Sequence, residues 1–233
     1  MSIVIGSIIK TMKSLGYKVF ENDVRNYNLN IVGVRTKENI VNVFNDWLFV
    51  FWYHNGSLNV RQYTITTDPG LFYLENPLSK YGTAILLPGQ YIHSHKFGYH
   101  KNDKSHEALI QCGSLHIARD FDRDDNLDIV NPDLSKCSIA YCKDEVGNIL
   151  TEWYLGSDLV WRESNGYFGI DIHRAIVNNV ITNVDKWSAG CQVFSVYDEY
   201  LEFIDIYKKS MVNFGDICSY TLLTEQQIDQ YGK

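Results

Sequence analysis

One histidine and one cysteine frame the stretch IDIHRAIVNNVITNVDKWSAGCQVF, residues 170–194. A thiol attacks a carbonyl as its thiolate, so it needs a base or a positive neighbour. Histidine is the usual base, because its proton affinity lies near neutrality. His173 sits in GIDIHRA, where strand alternation puts Gly169, Asp171 and His173 on one face and Ile170 and Ile172 on the other. That is how a rigid element holds a base opposite two apolar anchors. Cys191 closes the run Ser188, Ala189, Gly190, Cys191. Glycine before the cysteine permits a tight turn, whose backbone N–H groups can receive an oxyanion. The plainer alternative is a buried thiol beside a packing histidine, since free cysteine is among the most buried residue types.

On the residues alone the plainer reading stands, and a resemblance carried by their spacing favours chemistry. Fourteen residues, 174–187, separate His173 from Ser188. The stretch resembles the signature of the YkuD-type L,D-transpeptidase domain: a histidine, fourteen to seventeen residues, then Ser or Thr, His, Gly and Cys. Ser188, Gly190 and Cys191 fall in register with it, and the FGDICSYTLL ending is similar to that domain's last elements. Ala189 stands where the second histidine is expected, and Gln192 and Val193 also depart from the pattern. This is the look of a divergent branch, of the kind met in bacteriophage and bacterial genomes, with a pocket rebuilt around a small side chain.

The resemblance implies a β-sandwich or barrel in which Cys191 attacks a peptidoglycan stem peptide. His173 would take the thiol proton, and the backbone at Gly190 and Cys191 would bind the oxyanion. Water as acceptor gives peptidase action and an amine gives a cross-link; Ala189 tips the expectation to hydrolysis. Asp171 is a candidate to support the local hydrogen bonds, and a backbone carbonyl is the alternative orienter of His173. Trp187, Arg174 and His100 are the expected substrate contacts. The partner implied is bacterial peptidoglycan, with no cofactor required. A catalytically inactive wall-binding or phage-particle protein with the same fold is the other reading. A papain-like arrangement needs its cysteine before its histidine, and no motif supports that order here.

Two other clusters carry possible chemistry. RDFDRDDNLD places Asp120, Asp122, Asp124, Asn126 and Asp128 at every second position. Alternating oxygens of this kind resemble the start of a calcium loop, although Asp125 replaces the expected glycine and no closing glutamate follows. A structural Ca²⁺ and a solvated acidic turn are the two readings. YIHSHKFGYHKNDKSH carries His93, His95, His100 and His106; two histidines at i and i+2 share a strand face and could hold zinc, but no specific zinc spacing exists, and exposed or packing histidines are the other reading.

The elements that position these residues are mostly β. Runs rich in β-branched and aromatic residues at 28–36, 46–54, 57–67, 107–112, 115–120, 137–142, 149–155 and 216–223 read as strands. HNG at 54–56 predicts a hairpin and TTDPG at 66–70 a turn. Ile5, Ile8, Ile9, Met12 and Leu15 share one face of an N-terminal helix, and Tyr200, Phe203, Ile204, Tyr207 and Met211 form the stripe of another at roughly 197–213. The expectation is a mostly β, α+β fold with a helix near each end: residues 1–27 as amphipathic helix and lead-in, and 28–233 as catalytic domain.

Of 233 residues 45% are hydrophobic, which suits one globular domain, and the formal charge is −7. With no basic run, nucleic-acid binding is excluded as an expectation, because phosphate affinity rests on clustered Lys and Arg. The five cysteines form no CxxC and are odd in number, which argues against a zinc ribbon or a disulfide framework. No run is long enough to span a membrane and no signal peptide is legible at the N-terminus. The expectation is synthesis in the cytoplasm and action on the wall after release, or as part of a phage particle.

Overall fold

The computed structural model describes residues 3–21, 25–38, 40–122 and 133–233. Its elements run α1 (Ile5–Ser14), β1 (Asn30–Arg35), β2 (Asp46–His54), β3 (Ser57–Thr66), α2 (Leu71–Glu75), β4 (Thr83–Leu86), β5 (Gly89–Tyr99), β6 (Glu107–Gln111) and β7 (Leu115–Asp120). After the acidic stretch come β8 (Ser138–Lys143), β9 (Ile149–Leu155), β10 (Asp158–Gly166), β11 (Ile172–Arg174), β12 (Gln192–Phe194), α3 (Tyr197–Phe214), β13 (Ile217–Thr224) and α4 (Glu225–Tyr231). The fold is mostly β, with helices near both ends of the chain, as the patterning predicts.

Eight strands close into a barrel in the order β1-β13-β5-β6-β11-β12-β3-β2. A second, antiparallel sheet runs β4-β7-β10-β9-β8. The β2–β3 hairpin turns at Asn55 and Gly56, both with positive φ (49° and 77°), which is the turn that matches strand twist. β2 reads as an unbroken apolar run because both of its faces are covered. Leu48 and Val50 pack with Tyr200, Phe203, Ile204 and Tyr207 of α3, while Phe49 and Phe51 pack with Ile8 and Met12 of α1 and Ile228 of α4. The N-terminal helix therefore shares its core with the barrel.

α3 starts with Asp198 and Glu199, which suit the positive end of its dipole, and stops at Gly215, where φ is +77°. Glu199 accepts the Thr64 N–H at 2.9 Å, and Lys208 pairs with Glu107 of β6 at 2.7 Å, so the helix is pinned to both sides of the barrel. The structure adds two helices beyond those expected, α2 and α4. α4 carries a capping box in which Thr224 and Gln227 satisfy each other's backbone N–H groups.

β11 and β12 run parallel, with Ile172 opposite Gln192 and His173 opposite Val193. Parallel neighbours cannot be joined by a tight turn and need a crossover of a dozen or more residues. Residues 175–191 are that crossover. The spacing that draws attention in the sequence is thus the length of chain needed to bring the cysteine back beside the histidine's strand.

Candidate active site

The crossover ends in a turn built from small residues. Ser188 Oγ donates to the Cys191 carbonyl at 2.8 Å and accepts the Gly190 N–H at 3.1 Å. The Ser188 carbonyl accepts the Gly70 N–H at 2.9 Å, which ties the turn to the start of α2. Gly190 has φ +118°, and a Cβ there would lie 2.5 Å from the Ala84 carbonyl oxygen of β4. Only glycine fits between the turn and that strand. Gln192, one of the departures from the resembled pattern, is fully buried: its amide donates to the Gly190 carbonyl at 3.3 Å and its oxygen accepts the Tyr220 hydroxyl at 2.7 Å. It locks the turn to β13 across the barrel.

This turn sets Cys191 opposite Asp171. The Gln192 N–H bonds the Asp171 carbonyl at 2.9 Å, and the Asp171 N–H points at Cys191 Sγ at 3.4 Å. The thiol in turn lies 3.5 Å from the Gly169 carbonyl. Cys191 is 7% exposed. Burial pushes its thiol up to about 12; the Asp171 carboxylate adds to the rise, while the Asp171 N–H and Lys101 oppose it.

His173 is buried. Its Nδ1 lies 2.7 Å from the Arg174 carbonyl. A carbonyl only accepts, so the neutral ring carries its proton on Nδ1 and its lone pair on Nε2. Nε2 is buried and has no hydrogen-bond partner among the described residues. Burial first, then the charges of His100, His106 and Lys101, hold the ring well below the ordinary histidine range despite the Arg174 bond, so it is neutral at pH 7. The orienting group is therefore the Arg174 carbonyl. Asp171, the alternative raised by the sequence, serves His100 instead: its Oδ2 accepts from His100 Nδ1 at 2.9 Å and its Oδ1 accepts the Gln111 N–H at 3.0 Å.

His100 and His106 face each other across the β5–β6 turn, where the His100 N–H bonds the His106 carbonyl at 2.9 Å. Their rings join His173 in a cluster of three imidazoles. His100 stacks on His173 at 3.9 Å, and His106 meets His173 edge-on at 5.3 Å. The other pair of histidines separates. His95 is fully buried, with Nε2 on the Ile170 carbonyl at 3.0 Å, whereas His93 is exposed with φ +53°, which breaks the strand alternation between them.

A cleft of about 440 Å³ lies between the barrel and the second sheet. From the barrel side it is lined by His100, Lys101, Phe168, Trp187, Ala189 and Cys191, and from the sheet side by Ala84, Arg119, Asp144 and Glu145. Two of the three expected substrate contacts, His100 and Trp187, line it. Arg174 does not. It is buried behind the cluster, donating to the Ser105 carbonyl at 3.3 Å and resting over the Tyr197 ring at 5.7 Å.

Gln111 does not stand out in the sequence. Its side-chain oxygen accepts the N–H groups of Phe168, Gly169 and Ile170, and its amide donates to Gly113 and Gly166. It shapes the segment that delivers Asp171 and His173. Of the acidic run, Asp120 is buried at the end of β7 and Asp122 is exposed just beyond it. Asp124, Asn126 and Asp128 lie outside the described residues. No group of three or more metal-ligating side chains is assembled among the described residues, and no helix there is long and apolar enough to cross a membrane. No known protein family, curated protein or solved structure matches this chain.

Proposed function

We propose that this chain is a cysteine enzyme that cleaves peptide bonds in the stem peptides of bacterial peptidoglycan. One observation carries the reading: parallel pairing of β11 and β12 brings the thiol of Cys191 to the strand of a histidine whose tautomer leaves the Nε2 lone pair free. In this reading Cys191 attacks the carbonyl and His173 Nε2 takes the thiol proton. Ser188 Oγ already holds the Gly190 N–H, so the Cys191 N–H is the donor next to the developing oxyanion. The cleft supports a substrate that carries both carboxylates and amines, as stem peptides do: Lys101 and Lys186 line it together with Asp144 and Glu145. Ala189 leaves the wall beside the thiol without a polar side chain, which favours water over a bound amine as acceptor. The enzyme would meet its substrate after lysis or as part of a phage particle.

A second reading rests on a separate observation. The thiol is pushed up to about 12 and its contacts are the Asp171 N–H and the Gly169 carbonyl rather than an imidazole. That environment suits a retired nucleophile in a wall-binding or particle protein. Incubating purified sacculi with the wild-type chain and with Cys191→Ala separates the two. Soluble muropeptides released by the wild type alone support the enzyme. Binding to sacculi with no release by either chain supports the retired domain.

A further inference from the structure

The proposed mechanism uses one imidazole, yet the one that faces the cleft is another. His173 is 2% exposed and lies behind the stack, whereas His100 lines the cleft together with Cys191. His100 is also the histidine with a carboxylate behind it, Asp171 Oδ2 at 2.9 Å. With Nδ1 engaged, Nε2 is the ring nitrogen left for a substrate. The same Asp171 contributes its N–H to Cys191 Sγ, so one residue is bonded to both the thiol and the second imidazole. Its other carboxylate oxygen is fixed by the Gln111 N–H, which leaves Asp171 little freedom to release His100. A group on a carboxylate, one residue removed from the thiol and on the substrate side of a stack, is placed to exchange protons with what leaves and what enters.

We propose that His100, held by Asp171, is a second acid–base residue of this cleft, which protonates the departing amine while His173 keeps the thiol proton. The proposal rests on the reading of Cys191 as nucleophile. In acylation the sulfur–carbon bond forms, the S–H proton passes to His173 Nε2, and the carbon–nitrogen bond breaks as His100 in its protonated form gives its Nε2 proton to the amine. The Asp171 carboxylate balances the charge of His100 before that transfer. In deacylation His100, now neutral, takes a proton from the attacking water. The carbon–sulfur bond breaks and His173 returns its proton to the sulfur. One amide and one water become one acid and one amine, and both histidines end as they began.

The leaving group provides the test. An amine must be protonated to leave, whereas p-nitrophenolate leaves without a proton. Full-length wild type, His100→Gln and Asp171→Asn, each shown by circular dichroism to be folded, are compared on sacculi and on the first-turnover burst of p-nitrophenolate from p-nitrophenyl acetate, which reads acylation alone, with Cys191→Ala as blank. The expected result is that both variants lose about 10²–10⁴-fold more on the amide than on the ester. Equal losses on the two substrates, or no loss on either, with an active wild type, overturn the role of His100 and leave the proposed function standing. A wild type that is acylated by the ester but releases no muropeptide overturns the peptidoglycan reading and this role together.

Discussion

The imidazoles of His100 and His173 lie face to face, centroids 3.9 Å apart and planes 19° from parallel. Each is fixed through Nδ1, but to different acceptors: a carboxylate for His100 and a peptide carbonyl for His173. Two charged rings at that separation repel strongly in a buried setting. The stack therefore disfavours charge on both rings at once, which couples proton uptake by one ring to proton release by the other. The neutral member is the buried one, and the member on the carboxylate faces the cleft.

His173→Gln is expected to lower muropeptide release by about 10²–10⁴-fold, the usual contribution of a positioned base. The fold should survive, because Ile170 and Ile172 on the opposite face carry the core contacts of this segment. Initial rates and a thermal melt measure the two effects separately. Full activity in a folded variant removes His173 from the mechanism.

Acid should destabilise the fold through its buried imidazoles. Burial lowers His95 from 6.5 to about 4, and burial with the nearby Arg174 charge lowers His106 to about 4 as well. The unfolded chain binds protons at these sites near 6.5 and the folded chain does not, so stability is full above pH 6.5 and falls as pH drops toward 4. A tenfold change in proton affinity is worth about 1.4 kcal/mol, so each pH unit in this window costs on the order of 1 kcal/mol for the fully buried His95. Asp68 works in the opposite sense. Burial raises it from 3.8 to about 6 against the pull of Arg35, so its contribution is present in acid and is lost as pH rises through 6. Melting temperatures from pH 7.5 to 4.5 should fall less steeply in His106→Gln than in the wild type. Parallel curves would show that His106 does not titrate in this window.

Much of the scaffold is legible in the sequence and part of the site is not, for physical reasons. β2 and β3 are readable because the apolar runs and the Asn55–Gly56 turn agree. The spacing from His173 to Cys191 is readable as a signature, and its physical basis, the crossover of a parallel pair, is visible only in the structure. β5 is not, because the positive φ at His93 breaks its alternation and leaves Ile92 exposed. β10 runs through a half-exposed sheet with polar residues along it, and its pattern is that of a loop. The His100–Asp171 bond joins residues 71 apart. A sequence shows that a carboxylate lies near one histidine in the chain, but the β5–β6 hairpin decides which histidine it meets in space. Arg174 illustrates the reverse error: adjacent to His173 in sequence, it turns away from the cleft to clamp Ser105.

Gly190→Ala should be costly in a way that separates turn geometry from chemistry. The new Cβ would lie 2.5 Å from a backbone oxygen of β4 at a φ of +118°. Strain of this type is worth about 1–3 kcal/mol, and a chain of this size loses about 2–4 °C of Tm per kcal/mol. A fall of several degrees is expected, with slower alkylation or acylation of Cys191 because the turn that presents the thiol has moved. An unchanged melt would show that β4 yields to the turn and that the close approach is not required.

Ala189→His returns an imidazole to the wall beside the thiol. The sequence suggests a pocket rebuilt around a small side chain, in which a larger ring overpacks. The structure places Ala189 on the lining of the cleft, partly exposed, so the added ring has about 440 Å³ of open volume ahead of it. The expected outcome is a melting temperature within a degree or two of wild type rather than the loss of roughly 1–3 kcal/mol that overpacking a filled site brings. The variant also probes His100. In a His100→Gln background, an imidazole at position 189 enters the same cleft from the crossover side. If the cleft needs a proton donor for the leaving amine, the double variant should regain part of the amide cleavage that His100→Gln loses. The acylation burst with the ester should be altered far less. Muropeptide release by the four chains, measured with the melts, gives the coupling between the two positions. Strictly additive losses would mean that the two imidazoles act on different steps. A destabilised single variant would return Ala189 to the role of a packing residue.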